Sequence, residues 1–266
     1  MRIVSLSPAV SETLSLLGLE DNIVGVTPWC KMYLKRKEIS IVGTYLDINI
    51  EMLKKLNPDI VFIQAHVHDK FLSVLRSEGF NAYLVSLPTN LLDIVSNVEF
   101  VASLVDRYWE GKELADKLLD NIVYYKRAIR VGFRPRVYVE YLWPDKSFST
   151  TGGLTYVDDA IRLCGGINIF FDKKQKFFFP KDEEIISRNP QIIMVNIEPP
   201  FMGITLEKFL SIREPLKNTL AYEEGTIYLI EESVEANLAH PGPSFIINTL
   251  KRIAEVISSY EKLRKT

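Results

Sequence analysis

The sequence predicts an α/β protein of two Rossmann-like lobes with mainly parallel sheets, joined by one long interlobe helix. Strand-like and helix-like segments alternate along the 266 residues, which is the order that gives parallel sheets with helices on their faces. A unit of helix, Asn-Pro and apolar strand occurs twice, from Glu51 to Pro58 and from Glu183 to Pro190. This repetition indicates two similar lobes in tandem.

The first lobe takes its elements from short apolar runs and clear helix signals. Ser7 and Pro8 stand where a first helix begins, and Gly18 stands where it ends. A later helix ends at Asn57, because Pro58 disfavours helical geometry in the residue before it. The predicted strands lie near residues 3–6, 23–27, 60–65 and 82–86.

A helical pattern between the lobes and a second set of strands complete the predicted fold. Leucine and isoleucine keep helical spacing over 111–131, between Gly111 and Gly132, and twenty helical residues would span about 30 Å. Such a rigid strut predicts a small hinge motion. The first lobe is therefore expected over 1–110 and the second over 132–266. The second lobe is expected to contain strands near 136–142, 192–197 and 226–230, and a final helix from Pro243 to Lys262.

Composition excludes several classes of protein. A formal net charge of −2 and a pI near 6.0 give no electrostatic reason to bind nucleic acid. No apolar stretch reaches the roughly 18 residues of a membrane span. Cys30 and Cys164 fall in different lobes, so neither a disulfide nor a zinc site is predicted.

No secretory signal is visible ahead of the first strand. The expected location is therefore cytoplasmic, and the alternative is an extracytoplasmic location if a leader was removed. The chain is expected to be a monomer.

Enzymatic motifs are absent from the sequence. It has no Gly-x-Gly-x-x-Gly, no phosphate loop, no His-Glu-x-x-His and no Gly-x-Ser-x-Gly. No catalytic residue, cofactor or metal ligand is therefore assigned. The acidic pairs Asp158-Asp159 and Glu231-Glu232 are interpreted as solvated faces or helix starts.

A ligand site is predicted at the carboxyl ends of the parallel strands, where open α/β sheets bind their ligands. Aromatic residues are frequent just past these ends, and their rings suit a flat, mostly apolar ligand. Glu198 follows the same edge of the second sheet. The two sets are expected to face each other across one cleft. The predicted ligand-binding residues are Trp29, Tyr45 and His66 in the first lobe and Trp143, Phe148, Phe201 and His240 in the second.

These segments resemble the substrate-binding proteins of ABC importers for vitamin B12, haem and ferric siderophores, a class with one helix between two lobes. Val24-Gly-Val-Thr27 followed by Cys30, and Pro241-Gly-Pro243, are most similar to the cobalamin-binding branch. The resemblance covers nearly the whole chain. The other matching pieces are Arg2 to Pro8 with Glu12, Val42 to Tyr45, Glu51 to Pro58, Gly165 to Phe170 and Glu183 to Pro190.

The resemblance implies a protein that holds a bulky tetrapyrrole-like ligand for ABC-type uptake or for intracellular handling. Cobalamin is the first choice, and haem or a ferric siderophore is the alternative within the class. The alternative from another class is a cytosolic enzyme on the same scaffold that acts on a corrinoid or a metal centre.

The resemblance also implies a docking role for two glutamates. In that family one glutamate on each lobe forms salt bridges with arginines of the membrane permease, and the matching residues are Glu51 and Glu183. Both fall in the first turn of a predicted helix, where the helix dipole by itself favours an acidic residue by about 0.3 to 1 kcal/mol. Docking on an importer conflicts with the expected cytoplasmic location, so a cytosolic relative is also considered.

Overall fold

Alternating strands and helices form two units in the computed structural model, which describes residues 1–44, 46–129 and 132–264. Both units are α/β, and each contains a mainly parallel sheet, so the predicted fold class is confirmed. The division at 110 and at 131 stays a prediction. Unit 1 comprises Met1–Pro88, Leu92–Leu119 and His240–Pro243, and unit 2 comprises Thr89–Leu91, Asp120–Ala239 and Ser244–Thr266.

Five strands of the described chain form the sheet of unit 1. The strands are β1 (Ile3–Ser5), β2 (Ile23–Val26), β3 (Ser40–Ile41), β4 (Ile60–Gln64) and β5 (Ala82–Val85). The helices are α1 (Pro8–Leu16), α2 (Ile50–Leu56), α3 (Asp69–Ser77), α4 (Leu91–Leu104) and α5 (Tyr108–Ala128). All neighbours in the order β3-β2-β1-β4-β5 are parallel. The sequence did not predict β3, which has only two residues.

Strand residues of unit 1 alternate between two buried layers. Ile3 and Phe62 belong to one core cluster, whereas the intervening Val4, Val61 and Ile63 belong to another. Successive side chains of a strand point to opposite faces, so both faces of this sheet are covered by helices. Burial on both faces explains why these strands appear in the sequence as continuous apolar runs.

The first helix begins where the sequence predicts, but its cap differs from the expectation. Pro8 occupies the first turn and Ser7 the N-cap position. The Ser7 hydroxyl donates its hydrogen bond to Oε1 of Gln64 at 2.7 Å instead of accepting one from the helix. The cap residue therefore ties α1 to the end of β4.

The sheet of unit 2 combines parallel and antiparallel strands. Its order is β11-β10-β6-β7-β9, with β8 also paired to β6. Strands β6, β8, β10 and β11 run parallel, and β7 is antiparallel to β6 and β9. The strands are β6 (Arg136–Leu142), β7 (Phe148–Thr151), β8 (Ile167–Asn168), β9 (Phe177–Phe178), β10 (Ile192–Ile197) and β11 (Ile227–Glu231). The helices are α6 (Tyr156–Leu163), α7 (Asp182–Arg188), α8 (Leu206–Ile212), α9 (Leu220–Glu223) and α10 (Leu250–Leu263).

The repeated Asn-Pro unit has the same backbone in both copies. Asn57 ends α2 at φ 41° and ψ 65°, and Asn189 ends α7 at φ 45° and ψ 71°. Asparagine tolerates this left-handed conformation better than most residues. The proline then prevents the helix from continuing, and a buried strand follows.

The long helix α5 belongs partly to each unit and starts earlier than predicted. It begins at Tyr108, so Gly111 lies inside its first turns. A Cβ at Gly111 would come within 2.2 Å of the Ala102 Cβ. This glycine therefore permits close packing of α5 on α4, and it does not mark the start of the helix as the sequence suggested. Residues 130 and 131 of the predicted span lie outside the described residues.

The final helix also departs from expectation. A π-helical turn over Phe245–Thr249 precedes α10, where the sequence pattern predicted one uninterrupted helix. The predicted apolar face is nevertheless buried, as Phe245, Leu250 and Ile257 show.

Candidate functional site

The carboxyl edge of the unit 2 sheet brings an aromatic residue and two glutamates into one row. Ile197, the last residue of β10, pairs with Leu142 on β6 and with Glu231 on β11. The residues that follow on these parallel strands must therefore lie side by side at the same edge. These residues are Trp143, Glu198 and Glu232.

The aromatic residues of this edge are half-buried and held in place. The Trp143 indole Nε1 donates to Oγ of Ser149 at 2.8 Å, and the indole stacks near Tyr141 with ring centroids 6.5 Å apart. Phe148 begins β7 beside Trp143, and Phe201 packs against the unit 2 core. Fixed rings with a partly open face can bind a flat apolar ligand without first being ordered.

A buried ion pair lies beneath Phe148. Arg213 donates from Nε and Nη2 to the Glu140 carboxylate at 2.7 to 3.1 Å, and from Nη1 to Oδ1 of Asp182 at 2.6 Å. The Tyr138 hydroxyl donates to the same Glu140 carboxylate at 2.8 Å. Burial raises the pKa of Glu140, and Arg213 opposes that rise. The guanidinium also lies 4.4 Å from the Phe148 ring centroid, so it supports that ring from within the unit.

The pair of Glu140 and Arg213 was not predicted from the sequence. The available signal was a glutamate at position 140 inside an otherwise apolar predicted strand, because such a residue needs a cationic partner if the strand is buried. The position of that partner, 73 residues further along the chain, could not be read from the sequence.

The two glutamates of the row are buried. Glu198 is 9% exposed and Glu232 is 6% exposed, so the prediction that Glu232 lies on a solvated face was wrong. Asn196 donates from Nδ2 to Oε1 of Glu232 at 2.9 Å. Burial, and then the nearby charge of Glu232, raise the pKa of Glu198 to about 8. At neutral pH Glu198 therefore keeps its proton for most of the time.

In unit 1, Trp29 and His66 follow β2 and β4, which both pair with β1. Trp29 lies in a 3-10 helix and is 36% exposed. His66 is exposed in the left-handed region at φ 68°, and its backbone N–H donates to Oδ1 of Asp69 at 3.1 Å. A non-glycine residue with such a φ occurs often at binding sites. Tyr45, the third residue predicted here, lies outside the described residues.

His240 occupies a different place from the one expected. Its segment belongs to unit 1, although the sequence grouped it with the second lobe. The His240 Nε2 lies 2.6 Å from Oε2 of Glu12, and its ring stacks on Tyr33 at a centroid distance of 3.7 Å. Because only 3% of His240 is exposed, its chief role in this structure is to hold the segment against α1.

The two predicted docking glutamates are exposed at equivalent positions. Glu51 lies in the first turn of α2 and Glu183 in the first turn of α7. The Glu51 side chain is 78% exposed and its carboxylate lies 3.4 Å from Nζ of Lys54. A surface pair of this kind is weak, so a partner could displace it.

Residues 1–44, 46–129 and 132–264 contain neither a metal-binding group of side chains nor a helix that could span a membrane. No group of three or more His, Cys, Asp or Glu side chains in these ranges could hold a metal ion. None of the helices described there is long and apolar enough to cross a membrane.

Comparison with known proteins assigns the chain to a family. Residues 3–234 match the family model described as periplasmic binding protein, and the chain belongs to this family. It is therefore a substrate-binding protein and not an enzyme, which rejects the enzymatic alternative. A bound metal chelate would be its ligand and not a cofactor.

Individual relatives agree with this assignment. A cobalamin-binding protein of Halobacterium salinarum is 24% identical over 259 residues, which cover 95% of this chain and 68% of that protein. The periplasmic haem-binding protein RhuT of Roseiflexus sp. RS-1, in its apo form, has a similar structure, with a TM-score of 0.81, 23% identity and 98% coverage of each chain. The periplasmic vitamin B12 binding protein BtuF of Vibrio cholerae matches with a TM-score of 0.80, 21% identity and 98% coverage of each chain.

Proposed function

We propose that the protein binds cobalamin and delivers it to an ABC permease. The observation that carries the proposal is the half-buried aromatic set at the carboxyl edge of the unit 2 sheet, Trp143, Phe148 and Phe201. Such rings match a large macrocycle with apolar faces. The relative of Halobacterium salinarum, which is described as a cobalamin-binding protein, supports cobalamin as the ligand.

Haem is the second candidate ligand. It is favoured by the structural similarity to a protein described as haem-binding, and its flat ring would suit the same aromatic residues. A ferric siderophore stays an alternative within the class. From unit 1, we propose Trp29, Tyr45 and His66 as further contacts, whereas His240 is buried and is not proposed as a contact.

We place the activity outside the cytoplasmic membrane, where an importer receives its substrate. The family description as periplasmic binding proteins supports this location. Glu51 and Glu183 are proposed to dock the loaded protein onto arginines of the permease. Their exposure and their equivalent positions in the repeated unit support this role.

The ligand can be tested by titrating the purified protein with cyanocobalamin and, separately, with haem, by visible absorbance and calorimetry. We expect saturable one-to-one binding of cyanocobalamin with micromolar or tighter affinity. A ring that buries about 100 Å² against the ligand contributes roughly 2.5 kcal/mol, so Trp143→Ala should weaken binding at least about tenfold.

Trp109→Ala is the matched control, because Trp109 lies on α5 and is 74% exposed. The control should bind cyanocobalamin like the unaltered protein. If the protein binds haem tightly and does not bind cyanocobalamin, haem becomes the proposed ligand. Failure to bind either compound would reject a tetrapyrrole ligand.

A further inference from the structure

The carboxyl group of Glu198 is the unusual feature of the unit 2 edge, because it is buried without a partner. Glu198 is 9% exposed, and no hydrogen bond or ion pair in the described part of the chain reaches its side chain. Glu140 and Glu232, by contrast, accept hydrogen bonds from Arg213 and Asn196. Its carboxyl oxygens are not completely enclosed, so a ligand that arrives at this edge can reach them.

The groups that face Glu198 come from the two neighbouring strands. Glu232, which follows β11, helps to raise the pKa of Glu198. After burial, the two glutamates also raise the pKa of Tyr141 on β6. The Tyr141 hydroxyl donates to the carbonyl oxygen of Leu238 at 3.2 Å, so that proton is already used. Glu198 thus lies beside another acidic side chain, and its own carboxyl group has no hydrogen-bonding partner among the described residues.

A ligand that stacks on Trp143 would lie beside the Glu198 carboxyl group. Trp143 lies next to Glu198 at the same sheet edge, directly after β6, the strand paired with β10. A macrocycle that packs on Trp143 would bring its periphery to the two carboxyl groups. The side chains on that periphery then decide whether Glu198 gains a hydrogen bond or meets another negative charge.

We propose that Glu198 and Glu232 recognise amide groups on the rim of the ligand, and so select a corrin with amide side chains over a macrocycle with carboxylate side chains. The inference rests on the proposed function and specifies its substrate class. A primary amide has both N–H donors and a carbonyl acceptor, so it can donate to a carboxylate and accept from a protonated carboxyl group. A ligand carboxylate would instead add a further negative charge to a buried acidic pair, which is strongly unfavourable.

This chemistry separates the candidate ligands. Cobalamin carries amides around its corrin ring, whereas haem carries two propionate carboxylates. Specificity that uses repulsion of the wrong ligand is common at selective sites. The pair would therefore discriminate against haem even where the aromatic residues accept both rings.

The test compares two corrins that differ only at the side-chain ends. Dicyanocobinamide has amide side chains and dicyanocobyrinic acid has free carboxylic acids. Both would be titrated by visible absorbance into the unaltered protein, into Glu198→Gln and into the control Glu235→Gln, at pH 7 and pH 9. Glu235 is an exposed carboxylate close to Glu232 in the chain, so its change keeps the buried pair intact.

We expect the unaltered protein and Glu235→Gln to prefer the amide corrin by at least about tenfold. The preference should grow from pH 7 to pH 9 as Glu198 ionises. Glu198→Gln has the same size and no charge, and it should reduce the preference at least about fivefold, mainly by binding the carboxylate corrin more tightly.

Two results would overturn the inference while leaving the proposed function intact. One is binding of both corrins with the same affinity by the unaltered protein, and the other is an unchanged preference in Glu198→Gln. Failure to bind either corrin would instead reject the proposed function, and the inference with it.

Discussion

Unit 1 and unit 2 differ in whether their buried carboxyl groups have partners within the same unit. In the described part of unit 1, Glu12 is the buried glutamate, and it is paired with His240 inside the unit. Unit 2 buries Glu140, Glu198 and Glu232, and no partner for the Glu198 side chain occurs among its described residues. A buried charge is tolerated when the fold itself satisfies it. An unpaired one therefore points to a group supplied by a ligand.

The other buried polar groups of the two units also differ, because those of unit 1 are mainly neutral and those of unit 2 include an ion pair. Unit 1 uses neutral groups at its strand ends: Ser7 donates to Gln64, and His68 contacts the Thr44 carbonyl oxygen through Nε2 at 2.9 Å. Burial lowers the pKa of His68 and so favours its neutral form at physiological pH. Unit 2 uses an ion pair for the same purpose, with Arg213 between Glu140 and Asp182. The stability of unit 2 should therefore depend more strongly on charge and on pH.

The largest expected effect follows removal of Arg213. Arg213→Met leaves Glu140 buried and uncompensated, and should lower the free energy of unfolding by about 3 to 5 kcal/mol, measured by denaturant unfolding. The control is Arg162→Met, since the Arg162 side chain is 69% exposed in its pair with Asp159, and surface pairs contribute less than about 1 kcal/mol. Equal losses in both variants would refute the special role of the buried pair.

A smaller effect is expected from Glu198 and depends on pH. Its folded-state pKa of about 8 exceeds the ordinary 4.5, so the folded chain binds this proton more tightly than the unfolded chain does. The stability linked to it is complete below about pH 4.5 and is lost as the pH rises through 8.

Glu198→Gln removes this dependence. The difference between pKa values of 4.5 and about 8 corresponds to roughly 5 kcal/mol at about 1.4 kcal/mol per pKa unit. At pH 8 to 9 we expect the variant to be more stable than the unaltered protein by about half of this, 2 to 3 kcal/mol, because the Glu198 oxygens keep some contact with solvent. Chemical unfolding across pH 5 to 9 checks this, with Glu235→Gln as the control. Parallel pH profiles for all three proteins would show that Glu198 ionises normally.

The smallest effect on stability is expected at the docking glutamates, where the two units are alike. Glu51→Ala and Glu183→Ala should leave the free energy of unfolding almost unchanged, because both side chains are exposed. The double variant should lose binding to a cobalamin-class ABC permease held in lipid nanodiscs, measured by surface plasmon resonance.

Glu207→Ala provides the matched control for docking, because Glu207 is an exposed glutamate in the first turn of α8. It should bind the permease normally. If the double variant and this control bind equally well, the docking role is wrong. Single variants would show whether the two units contribute equally.

Local sequence signals predicted the repeated parts of the fold. The Asn-Pro unit located α2 with β4 and α7 with β10, because proline restricts the backbone within one or two residues. Apolar runs located the buried parallel strands. The strands β3, β8 and β9 were missed, since two residues carry no periodicity, and the four-residue strand β7 (Phe148–Thr151) was not predicted either. Gly111 was misinterpreted because its packing partner is another helix.

The candidate site was predicted only in part, because local sequence signals do not show which distant residues come into contact. Trp143, Phe148 and Phe201 could be named because the carboxyl edge of a parallel sheet is a general binding position. The partners of Glu140 and Glu232 could not, because Arg213 and Asn196 lie 73 and 36 residues away in the sequence.

The sequence by itself determined the α/β class, the two repeated units and the aromatic residues at the strand ends, because these depend on local backbone preference and hydrophobic periodicity. Only the tertiary structure decided which charges are buried and which are paired. Strand register brings Trp143, Glu198 and Glu232 together, and burial then raises the pKa of Glu198. Both depend on long-range packing, which no short segment of this chain encodes alone.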